Sequence, residues 1–165
     1  MSSSAGAVPK AIAQPGIVGH FAGDAFVYPL RVFYEDTDAA GIVYYANYLK
    51  FIERARTEMM RASGIDHSTM RESHGVLFIV KSCALDYRKP ARLDDWLEIH
   101  TRITALKGAS LEAEQIVRKE GEPLVSAELR LACIHESGAP ARFPPGLRAA
   151  LERLHHGSKQ VGAGS

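Results

Sequence analysis

Apolar residues recur at two spacings along this chain, and the change from one to the other organises it. Between positions 46 and 63, Tyr48, Phe51, Ile52, Ala55, Met59 and Ala62 return every three or four residues, the period of a helix with one buried stripe. Lys50, Glu53, Arg54, Thr57, Glu58 and Arg61 lie mostly off that stripe, and Gly64 supplies a stop. From position 76 the period falls to two, which predicts strands near 76–87, 93–106, 109–119 and 123–135. The alternation is clearest in the last of these. Val125, Ala127, Leu129, Leu131 and Cys133 point one way, and Ser126, Glu128, Arg130 and Ala132 the other, as in an antiparallel sheet with one covered face. Phe26 to Phe33 reads as an earlier strand, and 66–74 as a short irregular or helical piece. Pro144-Pro145 starts a terminal helix that runs to about His155.

Gly108 and Gly121-Glu122-Pro123 mark tight connections, so the last three strands form an up-and-down meander. The sum is an α+β domain over 26–155, an antiparallel five-stranded sheet wrapped around one long helix. Residues 1–25, rich in Ser, Ala, Gly and Pro, read as a flexible N-terminal extension, and 156–165 as a flexible C-terminal tail. Ala11-Ile12-Ala13 is too short an apolar run for a secretory signal, and no later run could span a bilayer. A cytoplasmic protein without membrane insertion is expected.

Charge narrows the partners. The 20 Lys+Arg and 19 Asp+Glu residues leave a formal net charge of +1, so no global field points to nucleic acid, and an anionic ligand must be held by a local cluster. Cys83 and Cys133 stand alone in apolar strands, and His67, His74, His100 and His135 show no ligand spacing. Two buried free thiols and no metal are expected. Gly-x-Gly-x-x-Gly, P-loop and Gly-x-Ser-x-Gly patterns are all absent from the sequence, which disfavours nucleotide hydrolysis, dinucleotide redox chemistry and the serine-hydrolase route.

The candidate chemistry lies where the first strand hands over to the helix. Tyr34-Glu35-Asp36-Thr37-Asp38-Ala39-Ala40-Gly41-Ile42-Val43-Tyr44-Tyr45-Ala46-Asn47-Tyr48 sets carboxylates on a glycine-containing loop that runs into a helix start. Unpaired N–H groups at such a start can polarise a carbonyl, while a nearby carboxylate attacks it or activates water. Asp38 could equally close a turn through its side chain, as Asp often does near Gly. Asp36 competes with it, as a turn-former or solvated charge. Gly41 suits backbone geometry or close ligand approach, Asn47 a helix cap, and Tyr44 and Tyr48 aromatic packing. Glu53 with Arg56, and Arg54 with Glu58, have the spacing of surface ion pairs.

This run, continuing through Phe51 and Glu53-Arg54-Ala55-Arg56-Thr57-Glu58, with Gly64-Ile65, Tyr87-Arg88-Lys89-Pro90-Ala91-Arg92-Leu93-Asp94-Asp95 and Gly108-Ala109-Ser110, resembles the hotdog-fold acyl-CoA thioesterases. More narrowly, it resembles the YbgC-like group associated with the Tol-Pal cell-envelope system, within the 4-hydroxybenzoyl-CoA thioesterase family. The resemblance covers roughly 27–150. It implies a hotdog fold, a homodimer or homotetramer, and an acyl-CoA or acyl carrier protein thioester as substrate. Coenzyme A is then part of the substrate, and no separate cofactor is expected. The resemblance makes Asp38 the catalytic carboxylate, as nucleophile or general base. It makes the Tyr45 backbone N–H the donor to the thioester oxygen, although many YbgC-like sequences carry His there.

Coenzyme A brings phosphates, and the resemblance tips Arg88 and Lys89 toward them; from composition alone, Arg88, Lys89 and Arg92 are as well read as a solvated loop. Ser110, in its glycine turn, could offer backbone N–H groups to the same ligand, or simply close a hairpin. Two alternatives to hydrolysis stay open: a hotdog dehydratase, and a non-catalytic protein that binds an acyl carrier or envelope partner.

Overall fold

The computed structural model describes residues 18–162. Six antiparallel strands form one sheet in the order β1-β2-β4-β5-β6-β3. These are β1 (His20–Ala22), β2 (Ala25–Arg31), β3 (Val76–Tyr87), β4 (Trp96–Leu106), β5 (Ser110–Lys119) and β6 (Glu122–His135). Helix α1 (Asn47–Ala62) connects β2 to a short α2 (His67–His74), and α3 (Pro145–Gly162) ends the described chain. The long helix against an antiparallel sheet is the hotdog arrangement, with the β4-β5-β6 meander as expected.

Helix α1 packs on β2 and β4, and α3 on β4. Tyr48, Phe51, Ile52, Ala55 and Met59 are all buried, together with Met60. The end of α1 follows from local chemistry. Gly64 takes φ +79°, and the Gly64 and Ile65 N–H groups donate to the carbonyls of Arg61 (3.0 Å) and Met60 (2.8 Å). This is a Schellman turn, closed by burial of both Met60 and Ile65.

Three expectations are corrected. The sheet has six strands, because His20–Ala22 pairs with β2. The boundary at 25 therefore cuts through a hairpin whose Phe21 ring meets Phe26 edge-on at 5.1 Å; residues 1–17 lie outside the described chain. A three-residue strand is too short to show a period, and only its partner reveals it. The terminal helix continues past His155 to Gly162, since Lys and Gln sustain a helix that Gly157 only weakens; 163–165 fall outside the described residues. The two predicted ion pairs on α1 do not form as such. Glu58 pairs with Arg61 at 2.9 Å, while Arg56 turns inward to Gln115 at 2.9 Å. No helix among the described residues is long and apolar enough to cross a membrane.

Candidate active site

The loop between β2 and α1 is shaped by its own polar groups. Asp36 ends a 3-10 turn (Tyr34–Asp36) and is buried. Its carboxylate accepts the Phe33 N–H at 2.8 Å. Its carbonyl accepts both the Tyr44 N–H (3.0 Å) and the Asn47 side-chain amide (2.9 Å). Asp36 is thus a turn-former that pulls the helix start back onto the loop. Asn47 serves as a brace in the first helical turn, since the helix cap position belongs to Ala46.

Asp38 is exposed. One carboxylate oxygen accepts the Ala40 N–H at 2.8 Å, while its backbone N–H donates to Ile42 (2.9 Å) and its carbonyl accepts from Gly41 (3.0 Å). The tight turn holds the carboxylate, and among the described residues its second oxygen has no partner. Gly41 takes φ +76°, which strains any residue with a Cβ. A Cβ there would meet nothing within 4 Å, so the requirement is conformational.

Beyond the turn, Ile42, Tyr45, Tyr48, Tyr87, Arg88 and Lys89 line a cavity of about 300 Å³. Tyr45 stands at the entry to α1, and among the described residues neither its N–H nor that of Ala46 donates to a protein acceptor. Two free donors at a helix start are a site for an oxygen carrying partial negative charge. Tyr48 is held rigidly: its ring is buried and its hydroxyl accepts the Ala91 N–H at 3.0 Å. Burial raises the Tyr48 hydroxyl above its ordinary range. Tyr87 crosses the cavity, donating from its hydroxyl to the Tyr45 carbonyl at 3.1 Å.

The basic wall is less free than its composition implies. Arg88 Nε lies 3.4 Å from Asp86, and Lys89 Nζ pairs with Glu122. Both backbone N–H groups donate to Leu124, which ties the wall to the start of β6. Of the residues expected at the site, Tyr45, Arg88 and Lys89 share this cavity, and Asp38 and Gly41 sit in the turn that leads to Ile42 on its rim. Ser110 is not among the residues lining it. Its carbonyl accepts the Lys107 N–H at 2.8 Å and closes the β4-β5 hairpin. Sequence reasoning assigned no role to Tyr87, because a tyrosine at a strand end carries no signal of what its hydroxyl reaches.

Cys133 is buried and Cys83 only half-buried; both are free, and burial raises both thiols, that of Cys83 against the opposing pull of Arg56.

The long helix laid on an antiparallel sheet is the fold of the hotdog thioesterases. Residues 32–151 match the model of the thioesterase-like superfamily. The acyl-CoA thioesterase YbgC of Haemophilus influenzae is 40% identical over 132 residues, 79% of this chain and 97% of the relative. The acyl-CoA thioester hydrolase YbgC of Escherichia coli O6:H1 is 46% identical over 110 residues, 66% of this chain and 81% of the relative. A crystal structure of a probable thioesterase from Bartonella henselae superposes with a TM-score of 0.70 at 36% identity, covering 73% of this chain and 99% of that one. The chain belongs to the thioesterase-like superfamily.

Proposed function

We propose that the protein hydrolyses acyl-CoA thioesters to a free carboxylic acid and coenzyme A. The observation that carries this reading is the shared cavity. Tyr45 at the start of α1 lines it together with Arg88 and Lys89, and the Asp38 turn leads to Ile42 on its rim. The YbgC relatives, named as acyl-CoA thioesterases, support it. The thioester carbonyl lies against the Tyr45 N–H, and the coenzyme's phosphates lie toward Arg88 and Lys89. Asp38 either takes a proton from water as the oxygen attacks the carbonyl carbon, or attacks it directly to give an anhydride that water then opens. Both routes break the C–S bond and release a thiolate. A thiol titrates near 8.5, so the thiolate leaves at neutral pH with little help from an acid.

The working unit is a homodimer or a tetramer built from dimers. Strand β3 offers a twelve-residue open edge with Val80 47% exposed, the kind of edge that a second copy covers. A cytoplasmic location, a link to the Tol-Pal envelope system and acyl carrier protein as an alternative thiol carrier follow from the family resemblance and belong to the same proposal.

The test is free-thiol release from short-chain, long-chain and aromatic acyl-CoAs. Asp38→Asn should lower kcat by roughly 10²–10⁴-fold with little change in KM. Unchanged turnover in that variant rules out Asp38 as the catalytic carboxylate.

A further inference from the structure

The Tyr45 carbonyl belongs to the same peptide as the Ala46 N–H. That peptide is trans, as are all those described, so the carbonyl and the N–H point in opposite directions. The Tyr87 hydroxyl donates to this carbonyl at 3.1 Å, while the Ala46 N–H on the far side, like the neighbouring Tyr45 N–H, has no acceptor among the described residues. A donor on one end of an amide polarises it and strengthens the N–H at the other end.

Tyr87 is itself well anchored. It ends β3 paired with Val125, and the next residue's N–H donates to Leu124 at 2.8 Å. Its ring meets those of Tyr45 (6.3 Å) and Tyr48 (5.7 Å) edge-on. Burial raises its hydroxyl above the ordinary range, so it remains a donor throughout neutral pH.

We propose that Tyr87 is a positioning residue for the hydrolysis above: its hydroxyl orients and polarises the Tyr45–Ala46 peptide, so that the Ala46 N–H joins the Tyr45 N–H in meeting the thioester oxygen. The inference rests on the thioesterase reading. Tyr87 does not touch the reacting atoms; it acts through the peptide that does.

Tyr87→Phe keeps the ring and removes only the hydroxyl. A fall in kcat of about tenfold, with KM within twofold, is expected, because displaced transition-state donors cost rate before they cost binding. Unchanged kcat, or a loss confined to KM, overturns the proposal.

A second measurement is independent of turnover. Benzoyl-CoA labelled with carbon-13 at its carbonyl is bound to Asp38→Asn and to Asp38→Asn/Tyr87→Phe, and the carbonyl stretch is read by infrared difference spectroscopy. The stretch should move to lower wavenumber in the first and return toward the free value in the second, at similar affinity. Equal shifts in both proteins overturn the role of Tyr87 while leaving the hydrolase reading standing. A Tyr87-dependent shift in a protein that turns over no acyl-CoA supports the tether while the hydrolase reading fails. Absence of binding overturns both.

Discussion

The Gln115 side-chain amide donates to the carbonyl of Ile52 at 2.8 Å, joining the middle of the sheet to the middle of α1. Gln115 is fully buried, and both its N–H groups and its oxygen are engaged: its nitrogen also donates to the Thr101 hydroxyl at 2.9 Å, and its oxygen accepts from Arg56. Burial lowers the Arg56 guanidinium below its ordinary value, so this acceptor matters to it. Gln115→Leu fills the space but strands Arg56 and Thr101. It should destabilise the protein by about 2–3 kcal/mol, read from the urea midpoint. With Arg56→Met added, the loss should be less than the sum of the two single changes.

The two loop carboxylates should separate by kinetics and stability. Asp36 accepts the Phe33 N–H and is buried, a task that an amide oxygen can also perform. Asp36→Asn should retain most of the activity, while Asp36→Ala should cost about 1–2 kcal/mol of stability through the unpaired N–H. Asp38→Asn should show the reverse, a large loss of kcat with nearly unchanged unfolding, because its side chain is exposed and the amide can still accept from Ala40. Paired melting curves and kcat values check this. Equal losses of activity in the two Asn variants would contradict it.

Legibility in the sequence followed physical range. Helix α1 and strands β4 to β6 were readable because each buries one face over many residues, which leaves a period, and Gly64 was readable because a left-handed stop needs glycine. Strand β1 was not, since it is three residues long and exists only through pairing with β2. The Asp38 turn was readable as a local motif. The Tyr87 tether and the Gln115 network were not, for they join residues 42 and 63 positions apart, and no local spacing encodes such contacts. Arg56 shows the same limit. Its spacing matched a surface pair with Glu53, but the buried acceptor on β5 takes its guanidinium.

Asp95 makes stability depend on acid. Burial alone would raise its carboxyl, but the hydrogen bond from Lys119 (2.8 Å), that from the Arg92 N–H (2.8 Å) and the two positive charges more than offset this and hold it below 3.8. A carboxyl depressed on folding stabilises the folded state fully above its unfolded value, and that stabilisation is lost as pH falls through the folded value. Wild type should therefore exceed Asp95→Asn by roughly 1 kcal/mol at pH 7. The gap should close as the pH drops below 3.8 toward the folded value. Urea unfolding of both proteins across that range measures it; a gap that widens in acid contradicts the assignment.

Charge on the cavity wall should be tunable from the residues that neutralise it. Lys89 is engaged by Glu122 and Arg88 by Asp86, so neither cation is wholly available to a phosphate. Each pair is exposed on both sides, so breaking it costs little folding energy. Glu122→Gln releases Lys89 and removes the negative charge paired with it, and it should lower KM for an acyl-CoA about two- to threefold at low salt, with kcat unchanged. Lys89→Ala and Arg88→Ala should each raise KM only a few-fold, because each removes a half-compensated charge, and the double variant should raise it further. All of these effects should shrink as ionic strength rises. A truncated substrate, the acyl thioester of pantetheine, carries no phosphate, and its KM should be the same in every one of these variants. If KM for that substrate rises in Lys89→Ala or Arg88→Ala as much as it does for the full acyl-CoA, the wall shapes the cavity and does not bind phosphate.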